Sequence, residues 1–338
     1  MPDLWSLYSQ MLRSRLFEEA VTQLWQEGLI SGEMHLGTGE EAIAAGVVDH
    51  LREGDAMALD HRGTSALLMR GVDPGLLLKE FLGHPDGLCS GKGGHMHLFS
   101  PQYLAASSGI VGASGPAAVG FALAGVHLRP GTVSIAFFGE GAMNEGMMLE
   151  AMNLAVAWKL PVLFVCKDNE WAITTRSSHV TGGKLVDRAH GFGMPATEVD
   201  GSNVEEVWPA AHEALKRARG GEGPTFLHAH CVHLEGHFLG DPLLRVTRHP
   251  VMEMKKMTGP LLRSVSKWKG ASIRERADSL SAISALIGKT FKEQALKHGD
   301  PLKHTRSVLE SDKKRLQEVE DAAIHEIQQV IRTVLKST

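Results

Sequence analysis

TVSIAFFGEGAMNEGMMLEAMNLAVAWKLPVLFVCKDN, residues 132–169, decides the fold. Thr132–Phe138 is a short, continuous apolar run, the pattern of a strand buried on both faces. Glycines bracket Glu140 directly after it. A helix is expected over roughly 145–159, with Met148, Met152, Leu154 and Ala155 facing inward. Pro161 then opens a second apolar strand, PVLFVC. Strand, turn, helix, strand is the unit of a right-handed parallel crossover.

Such a unit places two segments at one edge of the sheet. Gly139-Glu140-Gly141-Ala142 and Asp168-Asn169 both lie just past the carboxyl ends of their strands, where open α/β sheets bind ligands. The helix between them opens at the same edge and offers unpaired N–H groups to a phosphate. Glycines admit close approach of the backbone. Glu140 and Asn169 supply two hard oxygen ligands, which suits Mg²⁺ shared with phosphate oxygens. A metal-bridged diphosphate is one reading. Glycine-bracketed turns are common in doubly wound folds, and Asp-Asn is ordinary turn chemistry, so the spacing of the pair carries the argument.

Working outward, a helix is expected near Val204–Arg219, leading to a strand at Thr225–Ala229. Before the quoted unit, a helix is expected from Glu40 to Leu51. Glycine and serine crowd residues 83–115, which read as a long functional loop without regular pattern. Leu4–Trp25 and Asp312–Leu335 carry apolar residues at helical spacing. The expected fold is α/β, an open, mostly parallel sheet with helices on both faces, plus N- and C-terminal helical extensions. The expected division is 1–35 helical, 36–250 the α/β domain, and 251–338 a helical extension. Residues 251–299 hold ten Lys or Arg against four Asp or Glu, a surface for a partner or a solvated insertion.

The 338 residues are 43% hydrophobic and 22% charged, ordinary for a globular chain with a sizeable core. A formal net charge of −4 argues against nucleic acid or an anionic membrane as a bulk partner. Three scattered cysteines without CxxC spacing suggest neither a disulfide framework nor structural zinc. His95 and His97 have the spacing of a zinc pair, but no further ligand cluster accompanies them. No stretch is long and apolar enough to span a bilayer. The N-terminus lacks a signal-like apolar run, so a cytoplasmic location is expected.

Residues 137–175 resemble the thiamine diphosphate motif of the alpha subunits of 2-oxo acid dehydrogenase first components, the pyruvate, acetoin and branched-chain group. That motif opens on Gly-Asp-Gly and closes on Asn-Asn. Gly-Glu-Gly and Asp-Asn stand here, which keeps the ligand type. Residues 39–65, 88–98, 107–124 and 236–245 resemble the same family in order. The resemblance implies thiamine diphosphate and Mg²⁺ as cofactors. It implies metal ligands at Glu140, Asn169 and the Trp171 carbonyl. It implies a diphosphate grip by Arg62 with backbone N–H groups of Gly141 and Ala142, helped by His61 and Lys167. Backbone atoms of Gly109 and Val111 would hold the aminopyrimidine, His237 would contact the diphosphate at the mouth of the site, and His35 would sit near the reacting carbon. His237 and His35 are the implied catalytic pair.

The resemblance also implies a heterotetramer. A beta subunit would supply the pyrimidine-side domain and an activating glutamate. A small-molecule ketone would be cleaved, with the acyl unit passed to a lipoyl-bearing acyltransferase. A biosynthetic two-chain enzyme serving an acyl carrier protein, and a non-catalytic scaffold subunit, are the alternatives. Thr64, Glu235 and Phe238 depart from common family residues, and Glu235 would put a negative charge near the mouth.

Overall fold

The computed structural model describes residues 2–173, 175–240, 272, 274 and 299–337. Its centre is the unit that opens the sequence. Strand β4 (Ser134–Gly139) runs into a 3-10 turn (Glu140–Asn144) and helix α6 (Gly146–Ala157), then strand β5 (Val162–Asp168). The two strands pair in parallel from Ser134↔Val162 to Gly139↔Lys167. Before them come helices α1 (Leu4–Gln26), α2 (Glu41–Val48), α3 (Thr64–Arg70), α4 (Pro74–Phe81) and α5 (Ser114–Leu128), with strands β1 (Ala56–Leu59), β2 (Phe99–Ser100) and β3 (Ala105–Ser107). After them come the hairpin β6 (Trp171–Ala172) and β7 (Thr175–Arg176), then helices α7 (Leu185–Gly191) and α8 (Val204–Arg219) with strands β8 (Ala196–Asp200) and β9 (Thr225–His230). Helices α9 (Pro301–Leu309) and α10 (Lys313–Ser337) follow.

The main sheet has the order β2-β3-β1-β4-β5-β9-β8. Only β2 is antiparallel to its neighbour. Alternation along the central strands divides the core in two. Ile135, Phe137, Leu163, Val165 and Leu227 face one side, with residues of α1, α2, α4 and α8. Ala136, Phe138, Phe164, Cys166 and Phe226 face the other, against α5, α6 and α7. Period-two side chains on strands covered on both faces require this arrangement.

The expected strands at 132–138, 161–166 and 225–229 are present, each shifted by a residue or two, and α8 has the expected bounds. Three differences stand out. Helix α2 ends at Val48, three residues early. The stretch read as one structureless loop contains β2 and β3 and the start of α5; strands of two and three residues are too short to show alternation. The rest of that loop is wound around the buried Glu80, whose carboxylate accepts from the N–H groups of Cys89 (2.7 Å), Gly91 (2.9 Å), Gly93 (2.7 Å) and Gly94 (3.2 Å). Lastly, β1, α3 and α4 lay in sequence that gave no distinct periodic signal.

Helix α1 buries Phe17, Val21 and Leu24 in the main core, and its first turns pack with α9 and α10 through Leu7, Met11, Leu302 and Leu316. Tyr8 donates to Glu320 across that seam (2.8 Å), and Arg13 pairs with Glu326. The basic stretch 251–299 lies outside the described residues, save Ser272, Arg274 and Gly299.

Candidate active site

The carboxyl edge of the sheet opens into a cleft of about 630 Å³. Glu140, Gly141 and Ala142 reach it from the turn after β4, and Asn169, Trp171 and Ala172 from the segment after β5. Asp60, His61 and Arg62 come from the turn after β1; Val111 and Gly112 precede α5; His233 and His237 follow β9. Parallel strands deliver these turns to one edge because every crossover helix returns the chain to the opposite end.

Glu140 is buried, and Oε1 of its carboxylate accepts a hydrogen bond from the Ser177 hydroxyl (2.8 Å). Burial first, and the nearby Asp168 carboxylate second, push the Glu140 carboxyl up to about 7. The Asn169 side-chain oxygen accepts from the Trp171 N–H (3.1 Å), and its amide nitrogen lies 3.4 Å from Nε2 of His233. The turn following is wound tightly. Glu170 at φ 65° and Ile173 at φ 53° are both left-handed, a strained choice for a β-branched residue. The Ile173 N–H points to Nδ1 of His237 at 3.4 Å.

Arg62 is buried and already held. Nη1 donates to the Leu36 carbonyl and Nη2 to the His237 carbonyl, both at 2.6 Å. The guanidinium thereby ties the turn after β1 to the segment after β9. Around it stand four imidazoles. The His35 ring lies edge-on to His61 (4.8 Å between centroids) and His237 (5.2 Å), and is stacked on His95 (5.4 Å). Burial, reinforced by the Arg62 charge, lowers His35 to about 3 and His95 to about 4. Burial likewise takes His61 to about 3, against the pull of Asp60. These three rings are neutral at pH 7. Nε2 of His61 is buried in the cleft wall without a hydrogen-bond partner among the described residues.

Lys167 does not line the cleft. Its ammonium donates to Glu40 (2.6 Å) and Asp60 (3.0 Å) behind the wall. Burial opposes the charge, but those two carboxylates more than offset it and hold the lysine above its ordinary value. Glu40 also meets Nε2 of His233 at 2.7 Å. Burial would raise its carboxyl, yet Lys167 and His233 hold it well below the usual range. The phosphate charge expected of Lys167 is thus spent on neighbouring acids, a correction with a plain electrostatic cause. Gly109 stands beside the cleft rather than on its wall, flanked by wall residues Ser108 and Ile110. Glu235 lines a separate hollow with Arg15, Glu19, Thr22, Thr38 and Leu234, not the cleft. Sequence reading passed over Glu40, Asp60, His233 and Ser177. The one signal for Glu40 was a pair of acids, Glu40 and Glu41, following a Gly-Thr-Gly turn and leading into an apolar helix.

Several known proteins are similar to this chain over most of its length. Residues 9–279 match the family model described as the dehydrogenase E1 component. The alpha subunit of acetoin:2,6-dichlorophenolindophenol oxidoreductase from Cupriavidus necator is 42% identical over 240 residues, covering 70% of this chain and 72% of that protein. The protein of the same name from Bacillus subtilis is 39% identical over 240 residues, with the same coverage. The alpha subunit of the pyruvate dehydrogenase E1 component from Zymomonas mobilis is 38% identical over 262 residues, covering 77% of this chain and 74% of that protein.

Proposed function

The chain belongs to the dehydrogenase E1 component family, and from that premise we propose that its cleft holds the diphosphate end of thiamine diphosphate with Mg²⁺, for cleavage of acetoin or a 2-oxo acid. The family's alpha subunits are thiamine-diphosphate-dependent oxidoreductases. Bound there, the cofactor supplies a sink for the electron pair released when the bond next to a carbonyl breaks.

The residues present fit that group. Glu140 is a buried carboxylate whose charge is further disfavoured by the nearby Asp168 carboxylate, a state that a divalent cation stabilises. His61 offers a buried, unpartnered ring nitrogen to a phosphate oxygen. Glu140, Asn169 and the Trp171 carbonyl would hold the metal. Gly141 and Ala142, at the head of the turn into α6, would give backbone N–H groups to phosphate. Arg62 adds its positive charge to the same wall while bracing the His237 carbonyl. Neutral His35, with His237 beside it, would serve the reacting carbonyl at the mouth. With three of the surrounding rings uncharged and Lys167 neutralised, uncharged acetoin suits this cleft better than an anionic 2-oxo acid.

The acyl unit would pass to a lipoyl acceptor, and a beta subunit would close the site. Ile110, Val111 and Ile173 stand at its rim, 62%, 50% and 55% exposed. Apolar residues at an open cleft mark a surface that another chain covers. The described residues contain one parallel sheet for this cofactor, and the opposite half would come from the partner. Among the described residues no helix is long and apolar enough to cross a membrane.

The observation that carries the reading is the meeting of Glu140, Asn169, Arg62 and His237 at one strand edge. Thiamine diphosphate titrated into the chain with its partner, with and without Mg²⁺, tests it. Glu140→Ala is expected to abolish the metal-dependent part of binding while circular dichroism stays unchanged. Unchanged cofactor affinity in that variant would remove the assignment.

A further inference from the structure

A second cluster of ligating groups lies at the same sheet edge but outside the cleft. It is built on three neighbouring strands, β5, β9 and β8. The register sets Asp168 beside His230, and His228 beside Glu198. His228 and His230 are two apart on β9, so both project from one face, with ring centroids 4.3 Å apart. Neither histidine nor either acid lines the cofactor cleft.

The hydrogen-bond pattern fixes the chemistry. Nε2 of the buried His228 lies 2.8 Å from Oδ2 of Asp168. A carboxylate at this distance keeps the ring proton on Nε2, so Nδ1 carries the lone pair. Nδ1 is buried and makes no hydrogen bond. It faces Oε1 of Glu198 at 3.4 Å. Two acceptors thus point at each other without a proton between them. Nε2 of His230 approaches the same oxygen to 3.1 Å. Oε1 of Glu198 thus lies within 3.4 Å of a nitrogen of each ring, and a carboxylate orients one imidazole from behind, as is usual for metal-bound histidine.

We propose that Glu198, His228 and His230, with Asp168 holding His228 in place, form a site for a divalent transition cation such as Zn²⁺. Two imidazole nitrogens and one carboxylate oxygen are a zinc-type donor set, while Mg²⁺ prefers oxygen ligands throughout. The Glu198 side chain is half exposed and His230 partly so, which gives the ion access from solvent and leaves a coordination position for water. The bound ion would fasten the ends of β5, β8 and β9 immediately beside Asn169.

The test uses the full chain, stripped with chelator and held in excess Mg²⁺, then titrated with Zn²⁺ and separately with Co²⁺. One equivalent of Zn²⁺ should bind despite the Mg²⁺, and Co²⁺ should show the visible bands of a low-coordinate nitrogen and oxygen site. Glu198→Ala and His230→Ala remove partly exposed side chains and should leave the far-ultraviolet spectrum intact. Each should weaken Zn²⁺ binding more than about tenfold, since even a residue that only orients a ligand is worth about that much. Glu140→Ala should leave this Zn²⁺ affinity unchanged, which separates the site from the cofactor metal. Absence of Zn²⁺ binding would overturn the proposal. Equal affinity in the Glu198 and His230 variants would overturn it too.

Discussion

Replacing Glu18 by glutamine should make the chain more resistant to mild alkali. Glu18 is wholly buried on α1, 1% exposed, and Oε1 accepts from the Gly37 N–H at 3.0 Å. Its second oxygen is buried without a partner. Burial, the largest cause, together with the charges of Glu41 and Glu40, raises the carboxyl from 4.5 to about 8; the Gly37 N–H and Arg15 only partly oppose this. A carboxyl raised on folding contributes stability in full below its unfolded value and loses it as pH climbs toward the folded value. Between about pH 6 and pH 8.5 the folded group passes through roughly two units of this loss, about 3 kcal/mol at ~1.4 kcal/mol per unit. Glutamine has the shape of the protonated acid and keeps the bond to Gly37, without a charge to form. Urea unfolding of wild type and Glu18→Gln at both pH values isolates the term as a difference, provided the denaturant slopes agree. Wild type should fall behind the variant by about 3 kcal/mol across that interval. Parallel pH profiles would show that Glu18 ionises without penalty and that its burial is relieved in solution.

Lys167→Met should leave Glu40 and Asp60 as buried acids without their cation, costing about 3–5 kcal/mol in urea unfolding. A loss below 1 kcal/mol (roughly the worth of an exposed pair) would mean that solvent reaches them. Gly39→Ala should destabilise the chain by about 3 kcal/mol or more and lower its expression. Gly39 sits at φ +102°, and a Cβ there would collide with the Val232 carbonyl. His237→Ala should lose most turnover in the assembled enzyme with little change in melting temperature, because the ring stands at the cleft mouth rather than in the core. Near-normal turnover would make it a structural ring.

The central unit of the fold was legible in the sequence because its signals are local. Strands β4 and β5 carry continuous apolar runs, Ile135–Phe138 and Val162–Cys166, the glycines around Glu140 stop the first, and Pro161 starts the second. Once the strands are parallel, Glu140 and Asn169 must emerge at one edge, so their meeting at the cleft followed from spacing alone. The amphipathic faces of α1 and α10 were equally plain, with Leu7, Met11, Leu316 and Ile327 inside as their periods require.

Tertiary structure alone decided the electrostatics. Nothing near Lys167 in the chain announces that Glu40, 127 residues away, takes its ammonium. The same holds for Glu80, a lone acid on a short helix, which organises a loop of glycines by accepting four backbone N–H groups. Ser14, Arg15 and Glu18 break the apolar pattern of α1 yet are buried, because their partners Ser65, Glu41 and Gly37 come from other elements. The alignment of Asp168, His228, His230 and Glu198 depends on which strands are neighbours and on their register, and chain order does not encode either directly. Apolar periodicity is a property of each segment, readable one element at a time. Charge, proton position and metal affinity are properties of pairs and triples of groups, and only the folded chain sets those distances.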